Sequence, residues 1–185
     1  TAADTEVLVH LYEQDGPAMV SRLEGMFAFG VVDTVRRRLF LARDRLGQKP
    51  LYYHLADDGA VVFASELGAL LRYPGIPREI DPQSLIEYLT FGYVPAPWTI
   101  YGAVAKLPPA CTLTATAGES ALPAPVRYWQ PRFVPKRNLG FEDASRQLRQ
   151  LLEAAVAKRL ESEVPLGAFL SGGVDSSITV ALMQK

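Results

Sequence analysis

Four apolar segments lie close together between residues 25 and 65, and short turn sequences separate them. The run GMFAFGVVD (25–33) is rich in Phe and Val, and this composition predicts a strand that is buried on both faces. The basic triplet from Arg36 to Arg38 reads as a solvated hairpin turn, and DDG (57–59) is a second turn signal. Three further strands are predicted over residues 38–44, 50–55 and 60–65. This part of the chain is therefore predicted to fold around β-sheets.

Helical patterns flank this strand-rich region. Residues 4–15 place apolar side chains on one face, with Asp4 as the expected N-cap. Asp81 is expected to cap a helix over residues 81–92, in which Pro82 takes the first helical position. Further helices are predicted over residues 65–73 and 141–162, and further strands over residues 99–104, 111–116 and 164–170.

Composition and charge argue against a nucleic-acid-binding protein, a disulfide-bonded protein and a membrane protein. The chain has 185 residues and a net charge of −1, so it offers no large basic surface and nucleic acid is not expected as a partner. Its one cysteine cannot form an internal disulfide, which favours a reducing compartment such as the cytoplasm. No apolar run reaches the roughly 18 residues of a membrane span, so no membrane association is expected. The chain does not begin with Met, and we expect that Thr1 is not the native N-terminus.

The sequence FLSGGVDSS (169–177) is the strongest chemical signal in the chain. An apolar strand, a glycine pair and a helix start together predict an anion site, because helix N–H groups and the helix dipole both favour negative charge. No lysine follows the glycines as it does in a Walker loop, so the loop suits pyrophosphate, the leaving group of adenylation. Asp175 can serve there as a helix cap or as a holder of a cation. The alternative is a glycine-rich turn with a Ser or Asp cap and no ligand.

SGGVDSS resembles the signature of the PP-loop ATP pyrophosphatases, and the longer VPLGAFLSGGVDSS is similar to their asparagine synthetase branch. The upstream segments RLEGMFAFGVVD, LFLARDRLGQKPLYY and YLTFGYVPAPWTIYGAVAKLPP resemble, in the same order, the class II glutaminase domain of glutamine-hydrolysing asparagine synthetases. The resemblance implies an α+β and α/β fold: the second half of a glutaminase sandwich of antiparallel sheets and helices, then the first strand, loop and helix of a PP-loop domain. The expected boundaries are 1–130 for the glutaminase part, 131–140 for a linker and 141–185 for the start of the synthetase part. The chain would then be an internal fragment.

By this resemblance, the longer protein adenylates aspartate with ATP and Mg²⁺ and amidates it with ammonia from glutamine. Asp44 would bind the α-amino group of glutamine, whereas the residues alone favour an Asp44 that pairs with Arg43 or Arg45 or caps the next turn. The backbone near Phe169 would contact adenine, and Asp175 would contact Mg²⁺ through pyrophosphate. The residues expected to hold ATP and pyrophosphate are Phe169, Ser171, Gly172, Gly173, Val174, Asp175, Ser176 and Ser177.

The family nucleophile is an N-terminal cysteine, which this chain does not carry, so no catalytic residue is assigned here. Cys111 lies deep inside the chain and is predicted to be a small buried side chain. Two other functions stay open. One is a related amidotransferase that acts on another carboxylate, such as a cell-envelope sugar or peptide acid, or a β-lactam synthetase. The other is a non-catalytic binding module. A homodimer is compatible with each of them.

Overall fold

In the computed structural model, residues 5–162 and 164–184 are described. They divide into two compact units, Thr1–Arg132 and Phe133–Lys185, and the division falls inside the segment expected to be a linker. The helices are α1 (Glu6–Asp15), α2 (Leu67–Leu70), α3 (Pro82–Phe91), α4 (Phe141–Ala157) and α5 (Val174–Met183), with a 3₁₀ helix at Gly16–Ser21. The strands are β1 (Ala28–Asp33), β2 (Arg38–Arg43), β3 (Tyr52–Leu55), β4 (Val61–Ala64), β5 (Ala105–Lys106), β6 (Cys111–Thr116) and β7 (Val126–Arg127).

The first unit contains two antiparallel sheets. One has the strand order β1-β2-β6-β7, and the other has the order β4-β3-β5. The register pairs Leu41 of β2 with Leu113 of β6, and both side chains lie in a buried cluster with Leu51 and Leu107. Tyr53 and Val61 of the second sheet pack against this same cluster. The two sheets thus share one apolar core, in a mixed fold of helices and antiparallel sheets.

β2 is buried on both faces. Leu41 points to the core shared by the sheets, while its neighbour Phe40 packs in a second cluster with Met19 and with residues of α1. This alternation follows from the two-residue period of a strand. Both side chains are fully buried. A third cluster around Leu70 and Val104 packs against Tyr52 of β3.

The prediction for residues 25–33 was wrong about burial. β1 forms within this range, but it is the outermost strand of its sheet, and Val32 is 69% exposed. The strand predicted over residues 99–104 was also wrong. Within that range only an isolated bridge at Tyr101 occurs, and the two-residue strand β5 begins after it, at Ala105. The Thr99 hydroxyl bonds the carbonyls of Tyr101 and Val104, so local hydrogen bonds replace a sheet ladder.

Helix α3 begins and ends as predicted. The Asp81 carboxylate accepts hydrogen bonds from the backbone N–H and the hydroxyl of Ser84, at 2.8 and 2.7 Å, and Pro82 is the first helical residue. Gly92 ends the helix in the left-handed conformation, with φ at 77°. The expected cap at Asp4 lies outside the described residues, and α1 follows Thr5 without a side-chain cap bond.

The second unit contains α4 and α5. The strand predicted over residues 164–170 is absent, and the whole segment is exposed. A strand is stabilised by hydrogen bonds to neighbouring strands, and the described part of this unit contains none. The helix predicted over residues 141–162 is present as α4 but ends at Ala157. Across the described residues, we find no helix whose length and apolar content would suit a membrane span.

Candidate functional site

The glycine loop ends in the first turn of α5. Gly172 has a φ of 80°, which an L-residue with a side chain rarely adopts, and this turn directs the chain into the helix. Gly173 is the N-cap, and it accepts from the Ser177 N–H at 3.1 Å as the first helical hydrogen bond. The N–H groups before Ser177 therefore have no partner within the helix. They form a cluster of donors at the positive end of the helix dipole.

Three serine hydroxyls surround this helix start. The Ser171 and Ser176 Oγ atoms lie 3.0 Å apart. The hydroxyls of Ser176 and Ser177 both donate to the Gly173 carbonyl oxygen, at 3.0 and 2.9 Å. The three serines and two glycines predicted from the sequence are thus brought together in one turn. An anion held by the free N–H groups would lie within reach of hydroxyls that can rotate toward it.

Asp175 occupies the first turn of α5 and is not its N-cap. The sequence left two roles open for Asp175, a helix cap or a holder of a cation. The helix-cap role is excluded, because Gly173 is the N-cap and no side chain caps the helix. No cluster of three or more metal-ligating side chains occurs in the described ranges. Mg²⁺ is commonly held by one or two carboxylates together with waters and substrate phosphates. Asp175 fits such a site only as a single carboxylate, with phosphate and water completing the coordination.

The surface around the loop is open. Phe169, predicted to mark the adenine contact, is fully exposed, and no residue of α5 is buried. Val174 begins α5 with its side chain exposed. Among the described residues, the loop therefore presents its backbone donors and hydroxyls directly to solvent.

Asp44 lies directly after β2 and is 1% exposed. Its Oδ1 accepts from the backbone N–H groups of Leu46 and Gln48, at 3.1 and 3.0 Å, and its Oδ2 accepts from the N–H of Lys49 at 3.0 Å. The carboxylate thus caps the turn that follows it, as one interpretation from the residues alone expected. Its role in binding the amino group of glutamine stays a prediction, and such a ligand would compete with these three backbone bonds.

Arg43 completes this turn and was missed in the sequence analysis. Its guanidinium donates to the carbonyl oxygens of Lys49, Leu107 and Gly47, at 2.8, 2.6 and 2.7 Å. Burial lowers the pKa of Arg43, and the charge of Asp44 partly offsets this effect. The Arg43 carbonyl in turn accepts from the Tyr128 hydroxyl at 2.8 Å. The sequence did contain a sign of this role, because Arg43 stands at the end of an apolar strand. A guanidinium that is buried there must donate to several acceptors.

Cys111 is buried, as predicted, and is 3% exposed. Burial raises the pKa of its thiol, and the charge of Arg127 only partly counteracts that increase. A thiol with a raised pKa is protonated at neutral pH and is a poor nucleophile. The structure therefore gives Cys111 a packing role in the core shared by the sheets.

Two family models match the chain. The model described as "Glutamine amidotransferase domain" covers residues 1–129, and the model described as "Asparagine synthase" covers residues 147–185. The chain is also similar to proteins named as glutamine-hydrolysing asparagine synthetases. A relative from Mycobacterium tuberculosis (strain ATCC 25618 / H37Rv) is 39% identical over 98% of this chain and 28% of its own length. Asparagine synthetase 3 of Bacillus subtilis (strain 168) is 38% identical over 97% of this chain and 29% of its own. The chain therefore spans less than a third of the length of each of these two relatives.

Proposed function

The chain belongs to the glutamine amidotransferase domain family, and we propose that it functions as part of an ATP-dependent, glutamine-hydrolysing asparagine synthetase. In this proposal glutamine supplies ammonia and ATP activates the β-carboxylate of aspartate as an adenylate. Ammonia then displaces AMP to give asparagine. The reaction would take place in the cytoplasm, without nucleic acid or a membrane as partner.

One observation carries this proposal: the two matches follow one another on a single polypeptide. An amidotransferase segment (1–129) precedes an asparagine synthase segment (147–185). An enzyme that transfers the amide of glutamine to another acid needs both activities. The similarity to the asparagine synthetases extends over nearly the whole chain, including residues 130–146 between the two matches. In this proposal the glutaminase part comprises residues 1–130, a linker follows at 131–140 and the synthetase part starts at 141–185; the two matches support this order.

The glycine loop is the part of this chain that we assign to the adenylation step. Breaking the α–β bond of ATP places growing negative charge on pyrophosphate, and preorganised N–H donors stabilise such charge. The free N–H groups of Val174, Asp175 and Ser176 are suited to that task, with the serine hydroxyls beside them. Bound Mg²⁺ would neutralise part of the pyrophosphate charge, and in this proposal the carboxylate of Asp175 would help to hold it. Phe169 would lie near the adenine.

The test uses the complete gene product. Asparagine, glutamate and pyrophosphate are measured with aspartate, ATP and glutamine, and then with ammonia in place of glutamine. Asparagine formation that requires ATP and aspartate supports the proposal. Glutaminase activity together with amidation of a different carboxylate would instead identify a related amidotransferase. If ATP is consumed neither with aspartate nor with another carboxylate, the chain belongs to a binding module and the proposal fails.

A substitution at Asp175 tests the assignment of the loop. Asp175→Asn preserves the size of the side chain and removes its charge, so we expect asparagine synthesis to fall by at least about a hundredfold. Glutamine hydrolysis should stay near the wild-type rate, because it takes place in the other part of the protein. Asp143→Asn is the matched control, since Asp143 also lies in the first turn of an exposed helix. Normal synthesis by the Asp175 variant would contradict a role in holding the cation.

A further inference from the structure

Two neighbouring side chains hold the turn that follows β2, and they bind opposite kinds of backbone group. The Asp44 carboxylate accepts three hydrogen bonds from backbone N–H groups within residues 46–49. The Arg43 guanidinium donates to the carbonyl oxygens of Gly47 and Lys49 in the same turn. The turn is therefore anchored twice, once through its N–H groups and once through its carbonyl groups.

The third hydrogen bond of Arg43 ties this turn to a distant part of the chain. Its Nη1 donates to the carbonyl oxygen of Leu107 at 2.6 Å, and Leu107 is fully buried in the core shared by the sheets. A guanidinium carries its donors in a rigid plane, so three carbonyl oxygens fix both its position and its orientation. The turn is thus fastened to the core as well as to Asp44.

Gly47 allows the guanidinium to lie this close to the turn. Its φ is 66°, in the left-handed region that favours glycine. A Cβ atom built on Gly47 would lie 2.8 Å from Cγ of Pro109 and 3.1 Å from Cζ of Arg43. A side chain at this position would therefore displace the arginine that anchors the turn.

The main chain at Asp44 is held in place too. Its carbonyl oxygen accepts from the N–H groups of Gly47 and Ala110, at 3.0 and 2.9 Å. Ala110 is buried and has a φ of 55°, which residues with a side chain adopt rarely and only where their surroundings enforce it. The Tyr128 hydroxyl donates to the carbonyl oxygen of Arg43. These contacts leave the Asp44 carboxylate with one well-defined position.

The charge of Arg43 is directed away from Asp44. Among the described residues, the guanidinium donates its three hydrogen bonds to carbonyl oxygens and not to the neighbouring carboxylate. The carbonyl dipoles stabilise the buried cation in place of a carboxylate partner. The negative charge of Asp44 thus stays available to a second cation, such as an ammonium group.

We propose that Arg43 is a positioning residue for glutamine, and that it acts through Asp44. This inference rests on the proposed function, in which Asp44 binds the α-amino group of glutamine. An ammonium group at the carboxylate competes with the N–H groups of the turn for its oxygens. The bonds from Arg43 do not involve the carboxylate, so they keep the turn in place while Asp44 exchanges a partner. Glutamine then meets a carboxylate that is already oriented.

The test measures glutamine hydrolysis by the complete gene product and by two arginine variants. Arg43→Met removes the guanidinium and keeps an unbranched side chain. Arg45→Met is the matched control, because Arg45 lies in the same turn but donates to the carbonyl oxygens of Ser21 and Leu23, outside it. In the Arg43 variant the KM for glutamine should rise at least about tenfold while kcat stays near the wild-type value. The Arg45 variant should keep the wild-type KM.

The split between KM and kcat separates positioning from stability. A variant that is only less stable loses active enzyme, so its apparent kcat falls while its KM does not change. Asparagine synthesis with ammonia in place of glutamine should be unchanged in the Arg43 variant, because ammonia bypasses the glutamine site. The amides of residues 46, 48 and 49 should exchange hydrogen faster in the Arg43 variant and at the wild-type rate in the Arg45 variant.

A wild-type KM in the Arg43 variant, or a loss of kcat alone, would overturn the inference. An equal rise in KM in both variants would also overturn it. If circular dichroism shows that Arg43→Met does not fold, Arg43→Lys takes its place, since lysine keeps the charge but carries its donors on one nitrogen. A wild-type KM in that variant would again contradict the role of Arg43.

The wild-type enzyme tests the proposed function separately. A wild type that does not hydrolyse glutamine would overturn both the proposed function and the role of Arg43. An active wild type together with an unaffected Arg43 variant would overturn the role of Arg43 alone.

Discussion

Replacing Asp44 by Asn should destabilise the first unit more than any other charge-neutralising change of similar size. The Asp44 carboxylate accepts three backbone hydrogen bonds and is 1% exposed. An Asn side chain can keep its oxygen toward the N–H groups of Leu46 and Gln48. Its amide NH₂ must then face the backbone N–H of Lys49. Both groups are hydrogen-bond donors, so the charge-assisted hydrogen bond from Lys49 to the carboxylate is lost.

The expected loss can be estimated from these contacts. A hydrogen bond to a charged group contributes about 1.5–3 kcal/mol, and an unpaired buried N–H costs about 1–3 kcal/mol. Because these values describe the same contact and are not additive, we expect a loss of about 3 kcal/mol in the free energy of unfolding. For a unit of this size, that corresponds to a decrease of about 10 °C in melting temperature.

Urea unfolding monitored by tryptophan fluorescence measures this loss, because Trp98 and Trp129 are the two tryptophans and both lie in the first unit. Asp57→Asn is the control, since Asp57 is an exposed aspartate in a turn. The amides of residues 46, 48 and 49 should lose hydrogen-exchange protection first. If the Asp44 and Asp57 variants unfold at the same urea concentration with the same slope, the carboxylate does not anchor the loop and our reasoning is refuted.

Three further outcomes are expected in the first unit. Gly30→Ala should cost about 1–3 kcal/mol by overpacking against Phe63, and a double-mutant cycle with Phe63→Ala should show that the two changes are coupled. Leu41→Ala should cost about 3 kcal/mol in thermal or urea unfolding, because this side chain is fully buried. Hydrogen bonds from the Ser84 hydroxyl and N–H lower the pKa of Asp81. The stabilising effect of Asp81 should therefore be fully present above its ordinary pKa of about 3.9 and be lost as the pH falls from there through its lowered pKa in the folded protein. Asp81→Ala should remove that pH dependence from unfolding curves.

The sequence predicted best those features that depend on residues close together in the chain. Helix α3 has the expected start and end because its cap, Asp81, and its terminator, Gly92, act within one turn of the helix. β6 has the expected bounds, Cys111–Thr116. The glycine loop likewise forms the expected turn before α5, because Gly172 adopts a φ that is available mainly to glycine.

Only the tertiary structure decided the features that depend on distant partners. The apolar runs of β1 and β2 look alike in the sequence. In the described residues, however, β2 has a neighbouring strand on both sides, including β6, whose Leu113 pairs with Leu41, whereas β1 has a neighbour on one side. The segment 164–170 is apolar enough for a strand, but the described part of its unit contains no strand with which it could pair. The partners of Arg43 include Leu107, which is remote in sequence. Burial and strand pairing are properties of the assembled sheets, and a local pattern cannot specify which edge stays open.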